Sequence, residues 1–165
     1  MLTPDIPSLI TLSRIDRLPL AIGLYGAIVL APAVRNALDE SPPRPRRPST
    51  CAVPGKLRSI RNARLTPDEN QFVKRLLKSA TVHRSEAECL ALARRPGTTL
   101  VLADREARTI ARSLGLCYTG VPGLLAAGLR YRRLTRADFR RALDDLTGVV
   151  WPSSDTVSAM LSVAR

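Results

Sequence analysis

Residues 98–115, TTLVLADREARTIARSLG, decide the fold of this 165-residue chain. The β-branched run at residues 98–102 is typical of a buried strand. Asp104 follows directly and carries a side chain that suits a helix N-cap, and REARTIARSL then predicts a helix that Gly115 ends. A strand that is followed directly by a helix is the unit from which parallel α/β sheets are built.

The same alternation of strand and helix continues toward the amino terminus. Residues 2–5 (LTPD) predict a short extended segment that ends in an acid. Residues 8–18 carry apolar side chains at helical spacing. A buried strand is then predicted at residues 26–32 (GAIVLAP) and a short helix at residues 33–38.

The alternation also extends through the second half of the chain. Residues 66–69 (TPDE) and 85–88 (SEAE) are capping-box patterns that open helices. A strand is predicted at residues 116–119, and helices over residues 122–129 and from Thr135 onward. A last strand at residues 149–151 and a closing helix at residues 153–163 complete the prediction. We therefore predict an α/β fold in which helices flank a central, mostly parallel sheet in three layers, as a single domain of residues 1–165.

Residues 41–64, SPPRPRRPSTCAVPGKLRSIRNAR, differ in composition from the rest of the chain. They hold five prolines and seven basic residues without a single acid. Such a sequence disfavours a helix and predicts a cationic loop or arm within the domain. Two interpretations stay open: an insertion without function, or an arm that contacts a phosphate backbone.

The charge balance favours a polyanionic partner. The chain has 26 Lys and Arg against 14 Asp and Glu, a formal net charge of +12. RNA, DNA or an acidic membrane face would complement this excess, and arginine matches phosphate oxygens geometrically. An arginine-rich proteome is the alternative explanation. Aromatic residues are 4% of the chain, which argues against binding of single strands by base stacking.

Several other classes of protein are excluded by residue type and spacing. His83 is the only histidine, and the cysteines at 51, 89 and 117 form no C-x-x-C pair, so a zinc site is not expected. The apolar residues 18–34 are interrupted by Pro and Gly, which excludes a membrane helix. No signal-peptide pattern is present. We therefore expect a reduced, cytoplasmic protein without a membrane partner.

Six stretches occur in the order and spacing of one known family. Two lie in the first half, residues 5–12 (DIPSLITL) and residues 28–34 (IVLAPAV). The others are residues 85–93 (SEAECLALA), 103–111 (ADREARTIA), 119–125 (TGVPGLL) and 153–164. Together they resemble the PIN-domain family, in particular the small bacterial proteins related to VapC-type toxin ribonucleases. The resemblance covers most of the chain except residues 39–65.

The resemblance implies a metal-dependent endoribonuclease with a PIN-like fold. Asp5 and Glu86 would hold Mg²⁺ or Mn²⁺, and Asp104 would supply a third catalytic carboxylate. Hard divalent cations prefer such oxygen ligands, and a bound ion would neutralise the scissile phosphate. The expected substrate is RNA, for example tRNA, or another nucleic acid.

The resemblance also assigns residues that would contact the nucleic acid. Ser8 would line the site, and Arg105 and Arg108 would lie near the phosphate. In addition, residues 130–141 hold six arginines, and of these Arg130, Arg132 and Arg133 are expected at the interface. A toxin of this type would be held by an acidic or DNA-binding partner protein, and homodimers are common among related folds.

Three positions depart from the family pattern. The family has an acid three residues after the valine of its second motif, where this chain has Ala37, and Ala103 replaces the first of two paired acids. Ser85 replaces the glycine that precedes the helix glutamate in the family. Mg²⁺ binds poorly to two carboxylates alone. The alternative is therefore a catalytically degenerate module that binds RNA, DNA or a protein partner without cleavage. Structural explanations also exist, since Asp104 suits a helix N-cap and Glu86 suits the first turn of a helix.

Overall fold

A five-stranded sheet with all strands parallel forms the centre of the computed structural model, which describes residues 1–40 and 59–149. The strand order is β3-β2-β1-β4-β5. The strands are β1 Leu2–Pro4, β2 Ile28–Leu30, β3 Ile60–Asn62, β4 Thr99–Val101 and β5 Tyr118–Thr119. The predicted α/β fold with a parallel central sheet is confirmed.

Eight helices connect and follow these strands within the described ranges. They are α1 Ile6–Arg14, α2 Leu18–Tyr25, α3 Pro32–Glu40, α4 Pro67–Ser79, α5 Arg84–Ala93, α6 Arg105–Ser113, α7 Val121–Arg130 and α8 Arg136–Thr147. Helix α5 packs against β1 and β4 and contacts α3, α4 and α6, whereas α7 contacts α1, α2 and α8. The helices thus form two groups that flank the sheet.

Helix α5 is the most deeply buried helix in the described part of the chain. Every residue of α5 from Glu86 to Ala93 is buried, including two glutamates. Its apolar side chains join the main core with Leu2 of β1 and Leu100 of β4, which are fully buried. Because buried carboxylates are costly unless they have hydrogen-bond partners, Glu86 and Glu88 require specific neighbours.

The strand order places a topological switch point between β1 and β4. From β1 the chain adds β2 and β3 on one side, and it then returns to add β4 and β5 on the other. In open α/β sheets, ligands bind outside the carboxyl ends of the strands at such a point. Asp5 directly follows β1, and Ala103 and Asp104 closely follow β4, so these residues lie at the switch point.

Three predicted boundaries were wrong for identifiable physical reasons. The helix predicted over residues 8–18 is two helices, because Asp5 caps α1 earlier and Asp16 adopts a left-handed φ of 54° that ends the helical path. Helix α5 begins at Arg84, so the predicted cap at Ser85 lies inside it. The cationic arm predicted to extend to residue 64 ends earlier, because Ile60–Asn62 pair with β2 to form β3.

Parts of the prediction lie outside the described residues. These are the arm over residues 41–58, most of the last strand at 149–151 and the closing helix at 153–163. None of the helices in residues 1–40 and 59–149 has an apolar run sufficient to cross a membrane.

Candidate functional site at the carboxyl ends of the strands

Asp5 connects three elements at the switch point through one buried carboxylate. Its Oδ1 accepts a hydrogen bond from the Ser8 backbone N–H at 2.8 Å, which caps α1. Its Oδ2 accepts one from the Ala103 backbone N–H at 2.7 Å, just beyond β4. The side chain is fully buried. Two N–H donors and the amino end of α1 compensate for burial of the charge.

Asp104 is the N-cap of α6, as its position predicted. The carboxylate accepts a hydrogen bond from the Ala107 N–H at 2.7 Å through Oδ1. The residue is exposed, unlike Asp5. Its capping bond satisfies one of the free N–H groups that every helix start leaves.

Glu86 lies in the first turn of α5 and is 7% exposed. Its Oε2 accepts a hydrogen bond from the His83 backbone N–H at 2.9 Å. Burial raises the pKa of Glu86, and the nearby carboxylates of Asp104 and Asp5 raise that pKa further, although the hydrogen bond from His83 opposes both effects. The three carboxylates that the sequence singled out therefore interact electrostatically at one edge of the sheet.

Sequence reasoning missed a fourth carboxylate in the same region. Glu88 is 2% exposed, and its Oε2 accepts a hydrogen bond from the Ala33 N–H at 2.7 Å, at the start of α3. Its Oε1 accepts one from Arg84 Nε at 2.9 Å. The available signal was an acid inside the apolar stretch that forms the centre of α5. Glu88 thus joins α5 to the start of α3.

A buried thiol lies among these acids. Cys89 donates a hydrogen bond from Sγ to the Pro4 carbonyl oxygen at 3.4 Å. Burial raises the pKa of this thiol well above its ordinary value, and the charges of Asp5, Glu88 and Glu86 raise it further. The thiol is therefore held in its neutral form, which suits its place in the core.

The three carboxylates are not arranged as a metal centre in this structure. Asp5 is fully buried with a backbone N–H on each oxygen, and Glu86 and Asp104 each accept one backbone N–H, although every such oxygen keeps a second lone pair. Within residues 1–40 and 59–149, no three His, Cys, Asp or Glu side chains are arranged to hold one metal ion. Mg²⁺ and Mn²⁺ favour several free oxygen ligands.

Ala37 and Ala103 occupy the two positions where the family pattern has acids, and their surroundings differ. Ala37 lines an open cavity of about 290 Å³ together with Asn36, Glu40, Arg84 and Glu88. The nearby Asp39 is exposed and pairs with Arg35 at 2.8 Å. At the other position, Ala103 contributes only its backbone, whose N–H binds Asp5. Neither position supplies a carboxylate to the edge.

The residues predicted to contact nucleic acid fall into two places. Ser8 is buried beside Asp5, and its Oγ has no hydrogen-bond partner within the described ranges. Arg105 is exposed at the start of α6. Arg108 folds back over the β4–α6 turn, where its guanidinium donates to the carbonyl oxygens of Ala103 and Asp104. Both arginines therefore belong to the carboxyl edge of the sheet.

The second group lies at the far end of α7. Arg130 is the last residue of this helix, and Arg132 and Arg133 occupy the exposed turn before α8. Because α7 begins beside the carboxyl end of β5 and has 10 residues, this group lies about 15 Å further along the helix axis. The structure does not bring it together with Asp5, Glu86 and Asp104.

Comparison with known proteins identifies the family of the chain. Residues 4–165 match the family model described as a PIN domain. Neither a curated protein nor a solved structure is significantly similar to the chain. The match covers both the carboxyl-edge residues and the arginine group after α7.

We predict that Asp5→Asn destabilises the protein, whereas Asp104→Asn does not. Asparagine at position 5 keeps one acceptor oxygen but turns an NH₂ group toward the second backbone N–H, leaving a buried donor unsatisfied. The cost is about 2–3 kcal/mol. Asparagine caps helices as well as aspartate does, so the change at Asp104 stays within about 0.5 kcal/mol. Urea unfolding at pH 7 measures both, and equal destabilisation by the two variants would contradict the structural role of Asp5.

Glu86→Gln provides a pH-dependent test. Because the pKa of Glu86 is higher in the folded state than in the unfolded state, its ionisation opposes folding above that pKa. Glutamine stays neutral and keeps an oxygen for the His83 N–H. The variant should match or exceed the wild type in stability at pH 7, and its advantage should disappear as the pH falls through the raised pKa.

The matched control is Glu106→Gln, in the exposed first turn of α6. That carboxylate is hydrated and favoured by the helix dipole, so its removal should give no gain in stability at pH 7. A Glu86→Gln variant that is destabilised as much at pH 7 as at pH 4 would contradict the interpretation. Thermal unfolding across this pH range provides the measurement.

Proposed function

Because the chain belongs to the PIN-domain family, we propose that it binds nucleic acid at the carboxyl edge of its sheet and at the arginine group after α7, without efficient metal-dependent cleavage. One observation carries the second half of this proposal. The central acid, Asp5, is fully buried and bound to two backbone N–H groups. It supports the fold and is closed off from an ion in the solvent.

The charge of the chain supports the binding role. The net charge is +12, and the exposed Arg105 and Arg108 stand beside the switch point. Arg108 is held over the β4–α6 turn by two carbonyl oxygens, so its orientation is set before a ligand arrives. Guanidinium groups in such positions bind phosphate oxygens without regard to base sequence.

The arginine group after α7 extends this basic surface. Arg130, Arg132 and Arg133 are exposed, and none of them takes part in the ion pairs found within the described ranges. A ligand that reached from Arg108 to this group would span several nucleotides. We propose RNA, for which tRNA is a suitable structured example, as the ligand.

An endoribonuclease dependent on Mg²⁺ or Mn²⁺ is the second candidate. The observation in its favour is the raised pKa of Glu86 next to Asp104 and Asp5, since a bound divalent ion would relieve that repulsion. Glu86 and Asp104 each use a single oxygen in the backbone hydrogen bonds described above. The two candidates differ in whether cleavage occurs, while both require RNA binding.

Partner proteins are a further part of the proposal. A basic surface also complements an acidic protein. The resemblance to VapC-type toxins further implies an acidic or DNA-binding partner protein or a homodimer. Binding of nucleic acid and of an acidic protein to the same arginines would be mutually exclusive. Competition between RNA and an acidic partner protein therefore distinguishes one shared binding surface from two different surfaces.

Cleavage of tRNA in Mg²⁺ or Mn²⁺ tests the proposal directly. We expect no metal-dependent cleavage by the wild type. The double variant Ala37→Glu/Ala103→Asp restores both missing acids and should gain cleavage, because it adds two carboxylates to the edge that holds Glu86 and Asp104. Wild-type cleavage that Glu86→Gln abolishes would instead establish the nuclease.

Salt-dependent RNA binding tests the basic surface. The wild type should bind RNA with an affinity that falls steeply with salt. Replacement of Arg130, Arg132 and Arg133 by Gln should lower the slope of log K against log salt by about 0.7–0.9 for each phosphate that the protein no longer neutralises. Arg75→Gln, on the exposed side of α4, is the control for removal of one charge. A slope that changes no more in the triple variant than in the control would remove these arginines from the interface.

A further inference from the structure

We propose that Tyr131, at the turn between α7 and α8, stacks against an unpaired base of the bound nucleic acid. This inference rests on the proposed function, because it names the part of an RNA ligand that the arginine group after α7 would meet. Tyr131 is 65% exposed, more than any other bulky apolar side chain within residues 1–40 and 59–149. An exposed ring of this kind accepts any base, since every base has a π face.

Arginines flank the ring in the sequence, and no acid does. Residues 130–137 (RYRRLTRA) hold four arginines, all of them exposed: Arg130, Arg132, Arg133 and Arg136. None of the four takes part in the ion pairs found in the described part of the chain. Guanidinium groups on both sides of an aromatic ring are suited to bind the phosphates that flank a stacked base.

The backbone on the far side of Tyr131 is fixed by the way α7 ends. The helix closes with a Schellman motif. In this motif the Arg133 N–H donates to the Gly128 carbonyl oxygen at 2.8 Å. The Arg132 N–H donates to the Leu129 carbonyl oxygen at 3.0 Å. The position of the ring is therefore set before a ligand binds, which lowers the entropy cost of stacking.

Close packing beneath this turn keeps the ring on the surface. A Cβ atom at Gly128 would lie 3.0 Å from Leu20 of α2 and 3.1 Å from Leu134, so the last turn of α7 meets α2 without spare room. Burial raises the pKa of Tyr25, the last residue of α2, and the neighbouring phenol of Tyr131 raises that pKa further. The two rings therefore lie at the same end of the α2–α7 pair.

Arg132 occupies a backbone position that normally favours glycine. Its φ is 53°, and among the described residues other than glycine only Asp16 also has a positive φ. Helix α6 ends in the same motif, and there the equivalent residue is Gly115, with a φ of 65°. Glycine adopts this conformation without steric cost, whereas arginine does not. A role of the Arg132 side chain in binding explains why an arginine stands there.

The surroundings of the ring favour a nucleic acid over an acidic protein. The core of a protein interface consists of several apolar and aromatic side chains together. The other bulky apolar side chains exposed in the described ranges are Met1, Leu77 of α4 and Leu114 after α6. Helices α4 and α6 pack with α5, whereas α7 packs with α1, α2 and α8. One ring among arginines suits one base between phosphates, and the low aromatic content of the chain does not conflict with a single stacked base.

Fluorescence anisotropy with a single-stranded oligouridylate and an abasic strand of the same length tests the inference. The two strands carry the same phosphates and differ only in their bases. We expect the wild type to bind the oligouridylate about tenfold more tightly. Tyr131→Ala should remove this preference without changing the affinity for the abasic strand, and Tyr131→Phe, which keeps a ring, should retain it. Leu114→Ala, at the same position of the motif that ends α6, is the matched control.

Thermal unfolding separates binding from folding. Tyr131→Ala should unfold at the wild-type temperature, because the ring is exposed. Arg132→Gly should unfold at a higher temperature, because glycine suits the left-handed φ, yet it should bind both strands more weakly, because one phosphate contact is lost.

The outcomes distinguish this inference from the proposed function. Equal affinity of the wild type for the two strands, or a loss of affinity in Tyr131→Ala no larger than in Leu114→Ala, would overturn the inference alone. Absence of binding to either strand would overturn the proposed function together with it. If polyglutamate binding depends on Tyr131 while oligouridylate binding does not, the ring belongs to an interface with an acidic protein, which also overturns the inference.

Discussion

The buried carboxylate of Asp5 is the contact on which this end of the molecule depends. It joins the end of β1 to the start of α1 and to the backbone beyond β4, at the point where the order of the strands reverses. The adjacent Asp5 N–H donates to the Val101 carbonyl oxygen at 2.9 Å, so the residue is fixed through both its main chain and its side chain. A buried carboxylate is tolerated only with such hydrogen-bond partners. The two N–H groups that Asp5 binds therefore explain how it is accommodated in the core.

The neighbouring acids are also held by hydrogen bonds, but they differ in burial and in the number of their partners. Glu88 is deeply buried and bound to the start of α3 and to Arg84. Glu86 is buried with one backbone partner, and Asp104 is exposed with one. The carboxylates at this edge therefore range from buried ones that stabilise the fold to the exposed Asp104. Ala37 and Ala103 contribute no carboxylate to this edge, and no three acids within residues 1–40 and 59–149 are arranged around one ion.

Sequence patterns predicted the layers of this fold better than its connections. The apolar and β-branched runs identified β2 and β4 because buried strands need them, and β1 was predicted as a short extended segment. The Thr66 capping box identified the start of α4. β3 was missed because Ile60–Asn62 is short, partly exposed and surrounded by arginines, so only its register with β2 makes it a strand. The resemblance to the PIN-domain family pointed to Asp5, Glu86 and Asp104, and Asp5 and Asp104 also follow predicted strands. It could not show that Asp5 bonds to Ala103, which is 98 residues away, or that Glu88 bonds to Ala33, because those contacts exist only after the sheet assembles.

Our main proposal is that this carboxyl edge supports the fold and that residues 1–40 and 59–149 do not form a complete metal centre there. Isothermal titration calorimetry of the wild-type protein with Mn²⁺ at pH 7 tests this proposal. We expect no saturable binding at submillimolar Mn²⁺, because Asp5 is fully buried and no three acids within residues 1–40 and 59–149 are arranged around one ion. One tightly bound Mn²⁺ per chain, lost when Glu86 is replaced by Gln, would contradict the account.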